Sequence, residues 1–135
     1  NYKGVKEYMD KSIGSGKDKG YVETLLNRRR YIPELESSNF NIRSFGERVA
    51  MNMPIQGSAA DIIKLAMVKV YNRLKSEGLR SRLILTIHDE LIIEAAVEEI
   101  DHVKKMMKEI METAIYLNVP LKVDVMEGDS WYDTK

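Results

Sequence analysis

A chain of 135 residues is long enough to bury one core, and 44% hydrophobic with 31% charged residues is the profile of a folded globular unit, not of a disordered tail or a membrane protein. With no cysteine, disulfide frameworks and thiolate metal sites are excluded, so any metal must be held by oxygen or imidazole. Basic and acidic side chains balance at 21 each, so bulk charge does not declare a nucleic-acid binder, although residues 1–50 carry ten basic against seven acidic groups and residues 101–135 five against seven.

The sequence starts at Asn1 with no charged-then-apolar leader and runs directly into Tyr2-Lys3-Gly4-Val5, which reads as helix interior, so a piece of a longer protein is expected. Val5, Tyr8, Met9 and Ile13 recur at three- and four-residue spacing and predict an amphipathic helix that stops in Gly14-Ser15-Gly16, with a break by Gly20. Residues 21–24 and 28–33 are β-prone and flank Leu25-Leu26-Asn27, a hairpin whose Asn27 tolerates the left-handed conformation of a tight turn. Ser37-Ser38-Asn39-Phe40-Asn41 predicts a loop, and a helix is expected from about Arg43.

Pro54 predicts a kink or a new start in that helix. Ser58 and Asp61 have cap-like spacing, and Ile62, Ile63, Ala66, Met67, Val70 and Leu74 then form one apolar face that ends at Gly78. Residues 83–87 and 91–95 read as two apolar strands meeting at His88-Asp89-Glu90. A further helix follows through Val103, Met106, Met107, Ile110, Met111 and Ala114, and residues 121–125 alternate as a final strand. The expected fold class is α+β: an antiparallel hairpin and a neighbouring strand on long helices, in one unit spanning 1–135. The apolar runs are too short to cross a bilayer, so no membrane association and a cytoplasmic setting are the default.

Three titratable groups at the tip of a greasy hairpin call for an explanation, because a buried charge is costly unless it is paired or metal-bound. Adjacent strand residues face opposite ways, so Asp89 and Glu90 reach one ion only if the backbone bends between them. Asp89 is the first choice as ligand of a hard cation such as Mg2+, with Glu90 as ligand or neighbour. Taken alone, the tripeptide reads first as a polar turn that caps a hairpin in solvent. Upstream, Arg48, Asn52 and Gln56 stand four apart, so a helix aligns them as a stripe of donors and acceptors suited to minor-groove acceptors of any base pair. By itself such a stripe reads first as the solvated side of an amphipathic helix, and only the neighbouring His88-Asp89-Glu90 turn favours the groove reading. Arg28, Arg29 and Arg30 are candidates for phosphate contact, or plain surface charge. Asp101-His102 suits a helix start, where acid meets the positive end of the dipole, and Trp131 is expected to anchor the tail.

Four blocks carry a resemblance: Gly20-Tyr21-Val22-Glu23-Thr24 through Arg28-Arg29-Arg30-Tyr31-Ile32-Pro33, the segment from Arg48 to Lys64, the His88-Asp89-Glu90 turn, and Val119-Pro120-Leu121-Lys122-Val123. In order and spacing they resemble the C-terminal palm portion of family A (DNA polymerase I type) DNA polymerases over nearly the whole chain, with the end of the fingers before it. Asn27 stands where glycine is common in that family, a mild replacement in a turn. The resemblance implies template-directed DNA synthesis by nucleotidyl transfer to a primer 3′ end, with primer-template DNA and deoxynucleoside triphosphates as partners. It further implies that Asp89 coordinates catalytic Mg2+, that Glu90 supports the site, that His88 lies against the primer terminus, and that Arg48, Asn52 and Gln56 touch the primer-template duplex. The family's other catalytic aspartate and its nucleotide-gripping fingers helix are not among these residues, so the chain is expected to need the missing N-terminal part of the same polymerase and to be inactive alone. Two other classes remain open: a DNA-binding module without chemistry, and a small metal-dependent phosphodiesterase completed by Asp124 or Asp129.

Overall fold

The computed structural model describes residues 2–134, and Asn1 and Lys135 lie outside them. The chain forms two compact units, 1–61 and 62–135. Both are α+β: long helices accompany two separate two-stranded antiparallel sheets.

The first unit begins with helix α1, Lys3–Lys19, which passes through Gly14-Ser15-Gly16 without stopping. Gly16 is not a helix breaker but a point of close approach: a Cβ there would lie 3.0 Å from Leu35 Cδ1 and 3.4 Å from Val22 Cγ1. The stop comes at Gly20, left-handed at φ 74°, whose N–H donates to the Gly16 carbonyl at 2.9 Å. Strands β1, Tyr21–Glu23, and β2, Arg29–Tyr31, then pair with Tyr21 opposite Tyr31 and Glu23 opposite Arg29. Between them Asn27 takes φ 61°, as its residue type allows, and its N–H donates to the Thr24 carbonyl. Val22, Ile32, Leu35, Ala50 and Met53 bury the unit's core.

Helix α2, Phe40–Ser76, starts three residues before the expected point. Asn39 Oδ1 accepts the N–H groups of Asn41 at 2.9 Å and Ile42 at 3.4 Å, satisfying two donors that have no partner inside the helix. The helix neither ends nor restarts at Pro54. Ser58 is not a cap: it sits inside the helix, where its hydroxyl donates to the Pro54 carbonyl one turn back.

In the second unit, Ala66, Val70 and Leu74 of α2 pack with Leu91, Val103, Met106 and Ala114 as the buried core. Strands β3, Arg82–Ile87, and β4, Glu90–Glu94, are antiparallel with a register irregularity between Leu83 and Leu85. This sheet is less buried than its sequence suggests, since Ile84 and Leu85 are 57% and 44% exposed on a sheet with only two strands. Helix α3, Ile100–Glu112, follows with Asp101 in its first turn, where an acid complements the helix dipole. Residues 121–125 alternate half-buried and exposed as expected but form no strand, and the Val123 N–H donates to Glu112 Oε1 at 3.2 Å. Alternation specifies two faces, whereas a ladder also needs a partner edge. Trp131 opens a 3-10 turn, Trp131–Thr134, and is 40% exposed. Among the described residues no helix is long and apolar enough to cross a membrane.

Candidate functional site

The tip of the second hairpin is a two-residue loop, His88-Asp89, between the paired Ile87 and Glu90. His88, at the first loop position, has φ 52°, in the left-handed region that glycine enters most readily. A non-glycine residue in this region costs roughly 1–2 kcal/mol. Glu90 belongs to β4 rather than to the turn; its neighbour Leu91 is buried and Glu90 is exposed, as alternation requires. His88, Asp89 and Glu90 are all exposed, and among the described residues none of their side chains is engaged by a hydrogen bond or ion pair.

Asp89 sits in the backbone reversal between Ile87 and Glu90, and Glu90 is the first residue of the strand that follows it. Magnesium typically takes one or two protein carboxylates and completes its shell with water and phosphate oxygens, and two exposed, unengaged carboxylates fit that demand. Among the described residues no three His, Asp or Glu side chains cluster into a fuller metal cage. Asp124 lies elsewhere, in a surface hollow beside Asp101, Lys104, Lys105 and Lys108.

In the first unit, Arg48, Asn52 and Gln56 are exposed on uninterrupted helix α2. Eight residues of helix carry the stripe about 12 Å along the axis and turn it by about 80°. Arg48 rests on its own helix, with Nη1 donating to Ser44 Oγ at 3.1 Å and its guanidinium 5.9 Å from the centre of the Phe45 ring.

Arg28 and Arg29 are held differently. Arg29 Nε donates to Glu23 Oε1 at 2.8 Å, and its guanidinium stacks 4.6 Å over the Tyr21 ring. The Glu23 hydrogen bond, foremost, raises the Arg29 pKa. Arg28 Nε donates to Asp61 Oδ1 at 2.8 Å and its Nη2 donates to the Gly57 carbonyl at 3.0 Å. Asp61 is 8% exposed, and Ser58, equally buried, accepts the Leu25 N–H at 2.9 Å. The residues that tie hairpin to helix, Gly57, Ser58 and Asp61, carry no signal of this role in the sequence beyond a glycine and a buried acid one turn apart. Asp61 resembles a cap residue from spacing alone, and only the fold shows which arginine meets it.

The sequence model for DNA polymerase family A matches residues 1–133. DNA polymerase I of Bacillus subtilis (strain 168) is 60% identical over all 135 residues, and DNA polymerase I of Geobacillus stearothermophilus is 57% identical over the same length. The chain spans 15% of the length of each. The polymerase domain of Pol1 from M. smegmatis, solved in complex with DNA primer-template and dNTP, superposes with a TM-score of 0.94 at 46% identity, covering 97% of this chain and 23% of that one.

Proposed function

Because the chain belongs to DNA polymerase family A, we propose that it is the C-terminal part of a polymerase domain, from the end of the fingers through the palm, and contributes to template-directed DNA synthesis. Its reaction is nucleotidyl transfer from a deoxynucleoside triphosphate to the primer 3′ end. The observation that carries this reading is the unengaged His88-Asp89-Glu90 tip, held on a strained turn in a chain that matches the family from residue 1 to 133.

Asp89 would hold Mg2+, with Glu90 as second ligand or support. Held there, Mg2+ would supply Lewis-acid chemistry, favouring a primer hydroxyl as nucleophile and offsetting negative charge on the leaving pyrophosphate. His88 orients the primer terminus by hydrogen bonding from its imidazole. Arg48, Asn52 and Gln56 donate to minor-groove acceptors, which every base pair offers, so they align the duplex without choosing its sequence. Arg28 and Arg29 reach phosphates only by sharing guanidiniums already bonded to Asp61 and Glu23.

The remaining palm and fingers come from residues outside this chain, and the exposed Ile84 and Leu85 suit a sheet continued by them. A DNA substrate fits a cytoplasmic setting. The test joins the chain to an upstream family A palm and fingers and follows primer extension with Mg2+ and four nucleotides. Asp89→Ala is expected to abolish extension while primer-template binding is kept; extension that survives the substitution overturns the assignment.

A further inference from the structure

We propose that Arg28 is a positioning residue that keeps Gln56 in line with Arg48 and Asn52, and is not itself a phosphate contact. This rests on the reading that Gln56 meets primer-template DNA. Pro54 falls between Asn52 and Gln56, and an interior proline removes one helical hydrogen bond and sets its ring against the preceding turn. Continuity of the stripe therefore depends on what holds the helix immediately after the proline.

The first hairpin supplies that hold, all within five residues of Gln56. The Leu25 N–H donates to Ser58 Oγ, Arg28 Nε to Asp61 Oδ1 and Arg28 Nη2 to the Gly57 carbonyl. Thr24 closes the same face, since a Cβ on Gly57 would come 2.7 Å from Thr24 Cγ2 and 3.2 Å from Arg28 Nη2. Asp61 and the Gly57 carbonyl are one helical turn apart, and a planar guanidinium spans them with two donors in a fixed fork. The brace grips the buried side of this turn, where Gly57, Ser58 and Asp61 lie, and leaves Gln56 exposed. A lysine keeps the charge of Arg28 but cannot reproduce the fork.

The test uses the chain joined to the upstream polymerase and measures primer-template Kd over a salt series. Arg28→Lys is expected to weaken binding about fivefold, the effect of about 1 kcal/mol, the net contribution of one ordinary hydrogen bond. Added to Gln56→Ala, it should change Kd by less than about twofold, because it acts through Gln56. Arg28→Ala should leave the slope of log Kd against log salt unchanged. A phosphate contact gives the opposite pattern: Arg28→Lys close to wild type, and a slope reduced by about one for Arg28→Ala. That pattern overturns the inference while the function stands, as does additivity with Gln56→Ala. If Gln56→Ala alone leaves Kd unchanged, the groove reading fails and the inference with it. Asp61→Asn, which keeps an oxygen acceptor for Arg28, covers the case in which Arg28→Lys does not fold; it should weaken binding in the same non-additive way, and wild-type binding by Asp61→Asn overturns the brace.

Discussion

The two hairpins face the same backbone problem and are fastened at opposite ends. Each turn places a non-glycine residue in the left-handed region, Asn27 at φ 61° and His88 at φ 52°. Asparagine's short polar side chain eases entry to that region by bonding locally, which the longer histidine side chain does less well, so the second turn bears the larger cost. The first hairpin is tied to its helix near the tip, through Leu25 and Arg28. The second is clipped at its base, where Glu99 accepts the Arg80 N–H at 3.0 Å and the Ser81 N–H at 2.9 Å, and Ser81 Oγ accepts the Ala96 N–H at 3.0 Å. Six residues of β3 carry the second tip about 20 Å from that clip. Under the proposed function, the hairpin fastened at its tip serves as a scaffold and the one fastened at its base presents its tip to a ligand.

The sharpest way to break the comparison is to change both tips. In the longer polymerase, Asp89→Ala should lower incorporation about 1000-fold, the several kcal/mol that a metal-held charge supplies, without lowering the melting temperature. Asn27→Ala should leave incorporation within about twofold and cost about 1 kcal/mol in stability. Comparable activity losses at the two tips would erase the distinction. Next, Gly57→Ala forces a methyl into Thr24 and Arg28, and urea unfolding should show a loss of about 1–3 kcal/mol despite the better helix propensity of alanine. A stabilised variant would mean that the tip of the first hairpin is not tightly fastened.

A smaller effect is expected from His88→Gly, which should raise stability by about 1 kcal/mol and yet slow primer extension, the signature of strain retained for function. Gain in both properties would show that the histidine does no work. The smallest concerns the base clip. The Ser81 hydroxyl, foremost, with the Arg80 and Ser81 N–H groups, holds the Glu99 carboxyl below its ordinary value of 4.5. A depressed folded-state value means the contribution is complete above that pH and is lost as pH falls below it. Wild type should therefore lose stability on acidification more steeply than Glu99→Gln; parallel pH profiles would contradict the clip.

Much of this was legible in the sequence because local chemistry and tertiary structure agree there. Asn27, the apolar face from Ile62 to Leu74 and the strands around His88-Asp89-Glu90 all signal their conformations directly. The reading failed where packing overrides a local preference. Gly16 is kept small by Leu35 and Val22 rather than by a helix end, and Pro54 is carried inside a helix braced from outside. Residues 121–125 have the pattern of a strand without an edge to pair with. The residue types of the candidate site stand openly in the sequence, but the engagement of Arg28 by Asp61 does not, because a pair 33 positions apart leaves no periodic trace.

The most direct test of the central claim compares primer extension by this chain alone with extension by the chain joined to the upstream palm and fingers, in Mg2+ with all four nucleotides. The account expects extension only by the joined protein, with activity dependent on Asp89. Extension by the chain alone, lost on Asp124→Ala or Asp129→Ala, would contradict it and show that these residues complete a metal site of their own.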